Sequence, residues 1–419
     1  MLVEFSVANF RSIKKKQTLS LLAAPIVSKD ESIDENNVFE APNGIKLLKT
    51  LAVYGANASG KSNLVKALLR MIHFIAKSFQ DENQVERFET FQLDHNSSKK
   101  PIHFEMIFIV KKSLYRYGFE ITNRRVSAEW LFGPAKKNEV EYFTRQLDDI
   151  SINKTSFKEG EGLTEGKTRS STLFLNVVHA FNGSISKEIR DSLLNSFAVT
   201  SGIDDSRFRI VTTTMLDRAE YDSQIMKLLK DADFGIEALS VVDVEDKEIP
   251  SDISPEVKKK IGAGQKLQAI MTLKQSKGLK SAQPLAFRFD QFESEGTKKF
   301  FSYVGPIIQT LANGTCLIID EFDARLHPSL THRIVEMFNS NEYNKNNAQL
   351  IFVTHDTNFL DSSLMRRDQI YFAEKNKAGE TSFYSLINIG GVRNDASFEK
   401  DYIKGKYGAI PFLGDFKIE

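Results

Sequence analysis

The chain is poor in cysteine, in long apolar runs and in any surplus of charge, and each shortage narrows what it can be. Of 419 residues only Cys316 is a cysteine. It has no partner for an internal disulfide or a cysteine-pair zinc site, and such scarcity suits a reducing compartment. No apolar run approaches the ~20 residues that cross a bilayer. The opening Met1-Leu-Val-Glu-Phe-Ser-Val7 is too short and too alternating for a signal peptide. A cytoplasmic chain without membrane contact is therefore expected. Lys plus Arg number 56 and Asp plus Glu 55, so no global basic excess calls for nucleic acid, although local patches remain open. There is no internal repeat and no sustained heptad run, which excludes a long coiled-coil arm. What the chain does have is 41% apolar residues, with 32 phenylalanines, enough for a large core.

The strongest single stretch is Gly55-Ala56-Asn57-Ala58-Ser59-Gly60-Lys61-Ser62. The apolar run from Leu48 to Tyr54 reads as a buried strand, and Asn63 to Ile72 reads as an apolar-striped helix. Strand, glycine-rich turn and helix is the context in which this spacing binds phosphate. The glycines let several backbone N–H groups converge on one anion, and the helix N-terminus adds partial positive charge. Lys61 can reach the β- and γ-phosphates and Ser62 can ligate Mg²⁺, so ATP and Mg²⁺ are the expected ligands. Farther on, Thr315-Cys-Leu-Ile-Ile-Asp320-Glu321 delivers two carboxylates at the end of a short apolar strand, the edge where open α/β sheets bind ligands. Asp320 is expected to hold Mg²⁺ and Glu321 to orient and deprotonate an attacking water. The strand from Gln349 to Thr354 ends at His355, which points to a γ-phosphate contact. Between these motifs, Ser294 precedes the helix that contains Phe300 to Leu311. It can cap that helix and leave free N–H groups facing an anion.

The remainder reads in order as follows. Leu2 to Val7 and Gln17 to Leu22 are strands, and 27–46 is a surface loop. Ile102 to Val110, Leu114 to Ile121, Val126 to Phe132 and Glu139 to Phe143 alternate apolar and polar residues, the pattern of an antiparallel meander. Asp148 to Arg169 has no period and reads as a flexible loop or linker. Helices are expected over 172–181, 187–197 and 217–230, and strands over 238–244, 270–273 and 285–289. Ser251 to Gly264, with Lys258, Lys259 and Lys260, reads as a helix with a solvated face. The boundaries drawn from this are 1–150, an ATPase lobe; 151–237, a helical insertion; 238–400, a second ATPase lobe; and 401–419, a tail.

The order of P-loop, Ser-x-Gly helix, Asp-Glu strand and His-terminated strand resembles the ATP-binding-cassette (ABC) ATPases, above all the branch of the SMC, Rad50, RecF and OLD heads. Asn9-Phe-Arg-Ser12 and Gly55 to Asn63 are similar to that branch. Ser294-Glu-Gly-Thr-Lys-Lys299 stands where it carries the signature motif, and Phe322-Asp-Ala-Arg-Leu-His-Pro328 looks like its D-loop. Asp233-Phe-Gly-Ile236 and Lys404-Gly-Lys-Tyr-Gly-Ala-Ile-Pro411 are similar to the AAA15-type ATPases of bacterial phage defence, the RloA-like and PARIS ATPases among them. The resemblance implies an α/β fold, an ABC-type ATPase head with a mixed sheet, an antiparallel lobe and a helical insertion. It implies nucleotide contacts by Asn9, Arg11, Gly55, Asn57, Ser59, Gly60 and Asn63 beside Lys61 and Ser62. It also implies a homodimer or larger homo-oligomer in which Ser294 and Gly296 of one copy meet the ATP held by another.

This signature has no second glycine and no glutamine, so only Ser294 and Gly296 carry over. Gln92 and Gln146 are the candidates for a Q-loop glutamine. The zinc-hook cysteines of Rad50 are absent. Only 64 residues follow His355 (419 − 355), without a TOPRIM pattern, so any nuclease activity is expected from another chain. The implied function is an ATP-hydrolysing switch, the sensor or regulator of an anti-phage system. Its partner would be a separate effector from a neighbouring gene, a nuclease or RloB-like protein. Two segments are candidates for docking it. One is Thr172 to Lys230. The other is the tail from Asp401 with Tyr402, Tyr407, Ile410, Pro411, Phe412, Leu413 and Phe416, aromatics that otherwise pack on the body and close the fold. The alternatives are a RecF- or SMC-like ATPase acting on DNA and a nucleotide-gated scaffold with little turnover. Retention of Glu321 and His355 argues against the scaffold.

Overall fold

The computed structural model describes residues 1–134, 139–164, 166–201, 204–219, 221–244, 268–275 and 284–411. They fall into two units, one of 1–201, 310–322 and 332–419, the other of 202–309 and 323–331.

The first unit is built on two sheets. The central one has the strand order Phe197–Ser201, Cys316–Asp320, Gln349–Val353, Thr50–Tyr54, Ile370–Lys375, Thr381–Ser385. The first five run parallel and the last returns antiparallel. Three of its inner strands are buried at every position, as strands covered on both faces must be. The other sheet has seven strands, all antiparallel, and carries the expected meander plus Leu2–Ala8 and Gln17–Ser20. The helix Lys61–Lys77 buries Leu64, Leu68, Met71, Phe74 and Ile75 in one core shared with Phe5, Phe104 and Phe119 of that sheet and with Leu51, Val53 and Ile351 of the central one. Mixed sheet, P-loop helix and antiparallel lobe are the parts expected of an ABC-type head.

Some expectations need correction. Asp148 to Arg169 is not a free linker. Asp149–Ile152 adds a strand to the meander, and Phe157 is fully buried against Tyr142, Phe143 and Phe174. A single large anchor leaves no period to read. The 27–46 stretch holds the helix Glu31–Asn37, capped by Asp30, and a small hairpin, Val38–Glu40 with Lys46–Leu48. Phe197 does not end a helix; Phe197–Ser201 is the edge strand beside Cys316–Asp320. Helices do form at Phe174–Ala180 and Ser184–Asn195 in this unit. In the tail, Tyr402 and Tyr407 are buried and their rings pack on Phe372 at 5.3 and 5.8 Å. These two therefore close the fold. Phe412, Leu413, Phe416 and the segment with Lys258 to Lys260 lie outside the described residues.

The second unit has a three-stranded antiparallel sheet, Ala238–Asp243, Gln268–Gln275 and Pro284–Arg288, with the helices Ser206–Asp217 and Asp222–Asp231 and the leading part of Glu295–Asn313. Pro306 sits inside that last helix, where its missing N–H leaves the carbonyl four residues back unbonded. That carbonyl belongs to Ser302. The buried Thr212 hydroxyl lies 3.3 Å from it and accepts the Gly305 N–H at 2.9 Å. One threonine thus stitches the proline break to its neighbour helix. Among the described residues of the chain, no helix is long and apolar enough to cross a membrane.

Candidate nucleotide-binding site

The loop that follows Thr50–Tyr54 turns at once into the helix Lys61–Lys77. A reversal this tight uses backbone that side chains rarely adopt: φ is +152° at Gly55, +61° at Ala58 and +106° at Gly60. A Cβ on Gly60 would stand 2.2 Å from Thr381 Oγ1, and one on Gly55 2.4 Å from the Ala373 carbonyl oxygen. Both positions therefore require glycine. The same crowding props the loop. Thr381 Oγ1 lies 2.8 Å from both the Ser59 carbonyl oxygen and Ser12 Oγ. Asn63 Nδ2 donates to Ser12 Oγ at 2.7 Å. The helix begins without a side-chain cap, so its first N–H groups remain available to an anion. Lys61 is buried, and its ammonium donates to the carbonyls of Gly55 and Ala56 at 2.7 and 2.9 Å.

Asp320 ends its strand, and Glu321 turns away from it with φ +52°. The Phe322 N–H then donates to the Val353 carbonyl at 2.9 Å, which ties this turn to the strand that leads to His355. Since Gln349–Val353 lies between Cys316–Asp320 and Thr50–Tyr54, all three strands deliver their residues to one carboxyl edge. There Asn57 to Asn63, Asp320, Glu321, Val353, His355 and Lys375 line an open cleft of about 230 Å³. Asp320 is buried, and among the described residues its Oδ1 has no hydrogen-bond partner. A bare buried carboxylate oxygen is costly, and a cation relieves that cost. Mg²⁺ takes one or two carboxylates plus phosphate oxygens, so Ser62 and Asp320 fit it. Cys316, at the start of the same strand, is no nucleophile: burial pushes its thiol up to about 12.

Of the residues named from sequence, the structure gathers Asn57, Ser59, Gly60, Lys61, Ser62, Asn63, Asp320, Glu321 and His355 at the cleft; Gly55 does not line it, but its carbonyl accepts from Lys61. Asn9 is a correction. It is buried, its Nδ2 donates to the carbonyls of Ser97 and Lys100 at 2.8 and 2.9 Å, and its Oδ1 accepts the Phe91 N–H. Its carboxamide is consumed in holding the 91–101 loop. Arg11 is likewise turned to Glu89 at 2.8 Å and does not line the cleft. What the Asn9-Phe-Arg-Ser12 turn contributes is Ser12. Ser294 and Gly296 belong to the second unit. There Ser294 Oγ accepts the Thr297 N–H at 3.1 Å, the expected cap, and among the described residues those that line the cleft all belong to the first unit. Neither Gln92 nor Gln146 lines it. Thr381 and Lys375 were missed by sequence reading, because strand pairing and not a motif brings them in; Ser12 lay inside a recognised motif, but its part in propping the loop was not read from it.

No curated protein matches the chain. Solved structures do match, among them the SMC head domain from Thermotoga maritima, at 12% identity and a TM-score of 0.41, over 92% of this chain and 98% of that one. The family model described as "AAA domain, putative AbiEii toxin, Type IV TA system" matches residues 51–361. That span runs from the P-loop strand past His355, and the chain belongs to this family.

Proposed function

We propose that the protein binds and hydrolyses ATP as a switch. The observation that carries this reading is the Oδ1 of buried Asp320, without a hydrogen-bond partner among the described residues, in a cleft that also holds Lys61, Ser62, Glu321 and His355. In this reading Lys61 exchanges the Gly55 and Ala56 carbonyls for β- and γ-phosphate oxygens. The N–H groups of the loop and helix start hold the same chain of phosphates. Glu321 accepts the proton of a water whose oxygen attacks the γ-phosphorus, and ADP leaves with the bridging oxygen. His355 donates to a γ-phosphate oxygen. Mg²⁺, when held by Ser62 and Asp320, supplies neutralisation of the phosphate charge. Ser294 and Gly296 act on ATP bound by a second copy, in a homodimer or larger homo-oligomer.

The family description names a toxin–antitoxin system. That description names the toxin itself; our reading of the chain as a regulator of phage defence that works through a separate effector rests on the motif resemblance. ATP turnover with and without Mg²⁺, and with and without duplex DNA, tests the reading. Mg²⁺-dependent turnover indifferent to DNA is expected. Turnover that requires DNA would favour the DNA-acting alternative, and tight binding without turnover the scaffold.

A further inference from the structure

The cleft holds a second ammonium that no motif assigns. Lys375 is the last residue of Ile370–Lys375, the parallel neighbour of Thr50–Tyr54, and it lines the cleft with the P-loop, Asp320, Glu321 and His355. The strands that deliver Asp320 and His355 lie on one flank of Thr50–Tyr54; the strand that delivers Lys375 lies on the other. The carboxylates nearest to it in sequence are engaged elsewhere. Glu380, across the hairpin, is held by Lys14 at 2.7 Å. Glu374 accepts from the Tyr384 hydroxyl at 3.4 Å. Among the described residues the Lys375 side chain has no ion-pair or hydrogen-bond partner, and it is exposed at the lip.

We propose that Lys375 binds the nucleoside-proximal end of the nucleotide, at the α-phosphate or ribose, and not the γ-phosphate. The inference rests on the reading of the cleft as an ATP site. Glu321 and His355 fix the γ end on their own flank, which leaves the opposite flank for the end that ATP and ADP share. A cation there interacts equally with substrate, product and transition state. Such uniform binding changes affinity and KM without changing kcat.

The test compares Lys375→Met, which keeps the stem and removes the charge, with Lys375→Arg and Lys61→Ala, by calorimetric titration with ATP and ADP and by steady-state turnover. Lys375→Met is expected to weaken ATP and ADP alike by about tenfold, to raise KM with kcat retained, and to lose this deficit as salt rises. Lys375→Arg should restore most of the affinity. Unchanged ADP affinity in Lys375→Met, or a fall in kcat at saturating ATP, overturns the assignment. If Lys61→Ala abolishes binding while Lys375→Met is silent, only this inference falls. If Lys61→Ala is silent too, the ATP reading of the cleft falls with it.

Discussion

Lys61 shows what a single residue does here: it is buried, and its ammonium donates to two loop carbonyls that a phosphate can replace. Lys61→Ala should weaken ATP binding at least ~100-fold, given that charged hydrogen bonds contribute about 1.5–3 kcal/mol each; calorimetric titration measures it, and retained affinity contradicts the role. Lys49 is a different lysine. It is fully buried at the start of the P-loop strand, with Asn341 Oδ1 at 2.6 Å and the Asn339 carbonyl oxygen at 3.3 Å as acceptors. Burial pushes its ammonium down to about 8 from 10.5. The folded-state value is the lower one, so between these two values the unfolded chain holds more protons. Stability should therefore rise with pH through that window, by up to ~1.4 kcal/mol per unit, and show no slope from this group below it. Urea midpoints for the parent and Lys49→Met from pH 7.5 to 9.5 check this; parallel slopes would mean that Lys49 does not titrate there. Lys61, Ser62, Asp320, Glu321 and His355 were legible in sequence because the first two open a helix after a glycine-bearing turn and the others lie at or just past a strand end. Thr381 and Lys375 were not, because the P-loop they meet lies more than 300 residues before them in the chain; Ser12 was seen in a motif, but its role as a prop was not. Asn9 was legible as a motif and misleading as a contact, since a motif does not say which atoms its amide bonds.

At the scale of elements, the chain announced itself wherever a period was clean. The four alternating segments became strands of the meander, and the apolar runs before Gly55, Asp320 and His355 became the parallel core. It was silent where one residue does the anchoring, as Phe157 does, and where a strand as short as Phe197–Ser201 follows a helix directly. The Pro306 break is a further case. Glycine and proline in mid-helix were visible, but the remedy, Thr212, comes from another helix. Thr212→Val keeps the shape and removes the hydroxyl, leaving a buried N–H and carbonyl unmatched. It should cost about 1–3 kcal/mol, whereas Thr212→Ser should cost little of that. Equal urea midpoints for all three proteins would show that the stitch contributes nothing. The C-terminal helix Phe398–Ile403 makes a second test. Tyr402 packs on Tyr54 and Phe372 behind the P-loop strand, so Tyr402→Ala should lower stability by about 3–5 kcal/mol, as large-to-small core changes of aromatic residues do.

For the molecule as a whole, the cleft gathers the P-loop, two carboxylates and His355, while Ser294 and Gly296 belong to the other unit. If a second copy completes the site, Ser294→Arg should leave ATP affinity nearly intact and block turnover. A mixture of Lys61→Ala and Ser294→Arg chains should then regain part of the activity, because a pair of one each retains one site with both halves intact. No recovery at any mixing ratio, in chains shown to associate, would count against sharing. The central claim is narrower and can be tested on one protein. Glu321→Gln preserves the shape and the charge-free contacts of the cleft but cannot accept the proton of the attacking water. Measured side by side with the parent, it should bind ATP with unchanged affinity and hydrolyse it ~10²–10⁴-fold more slowly; turnover at the parent rate would contradict the account.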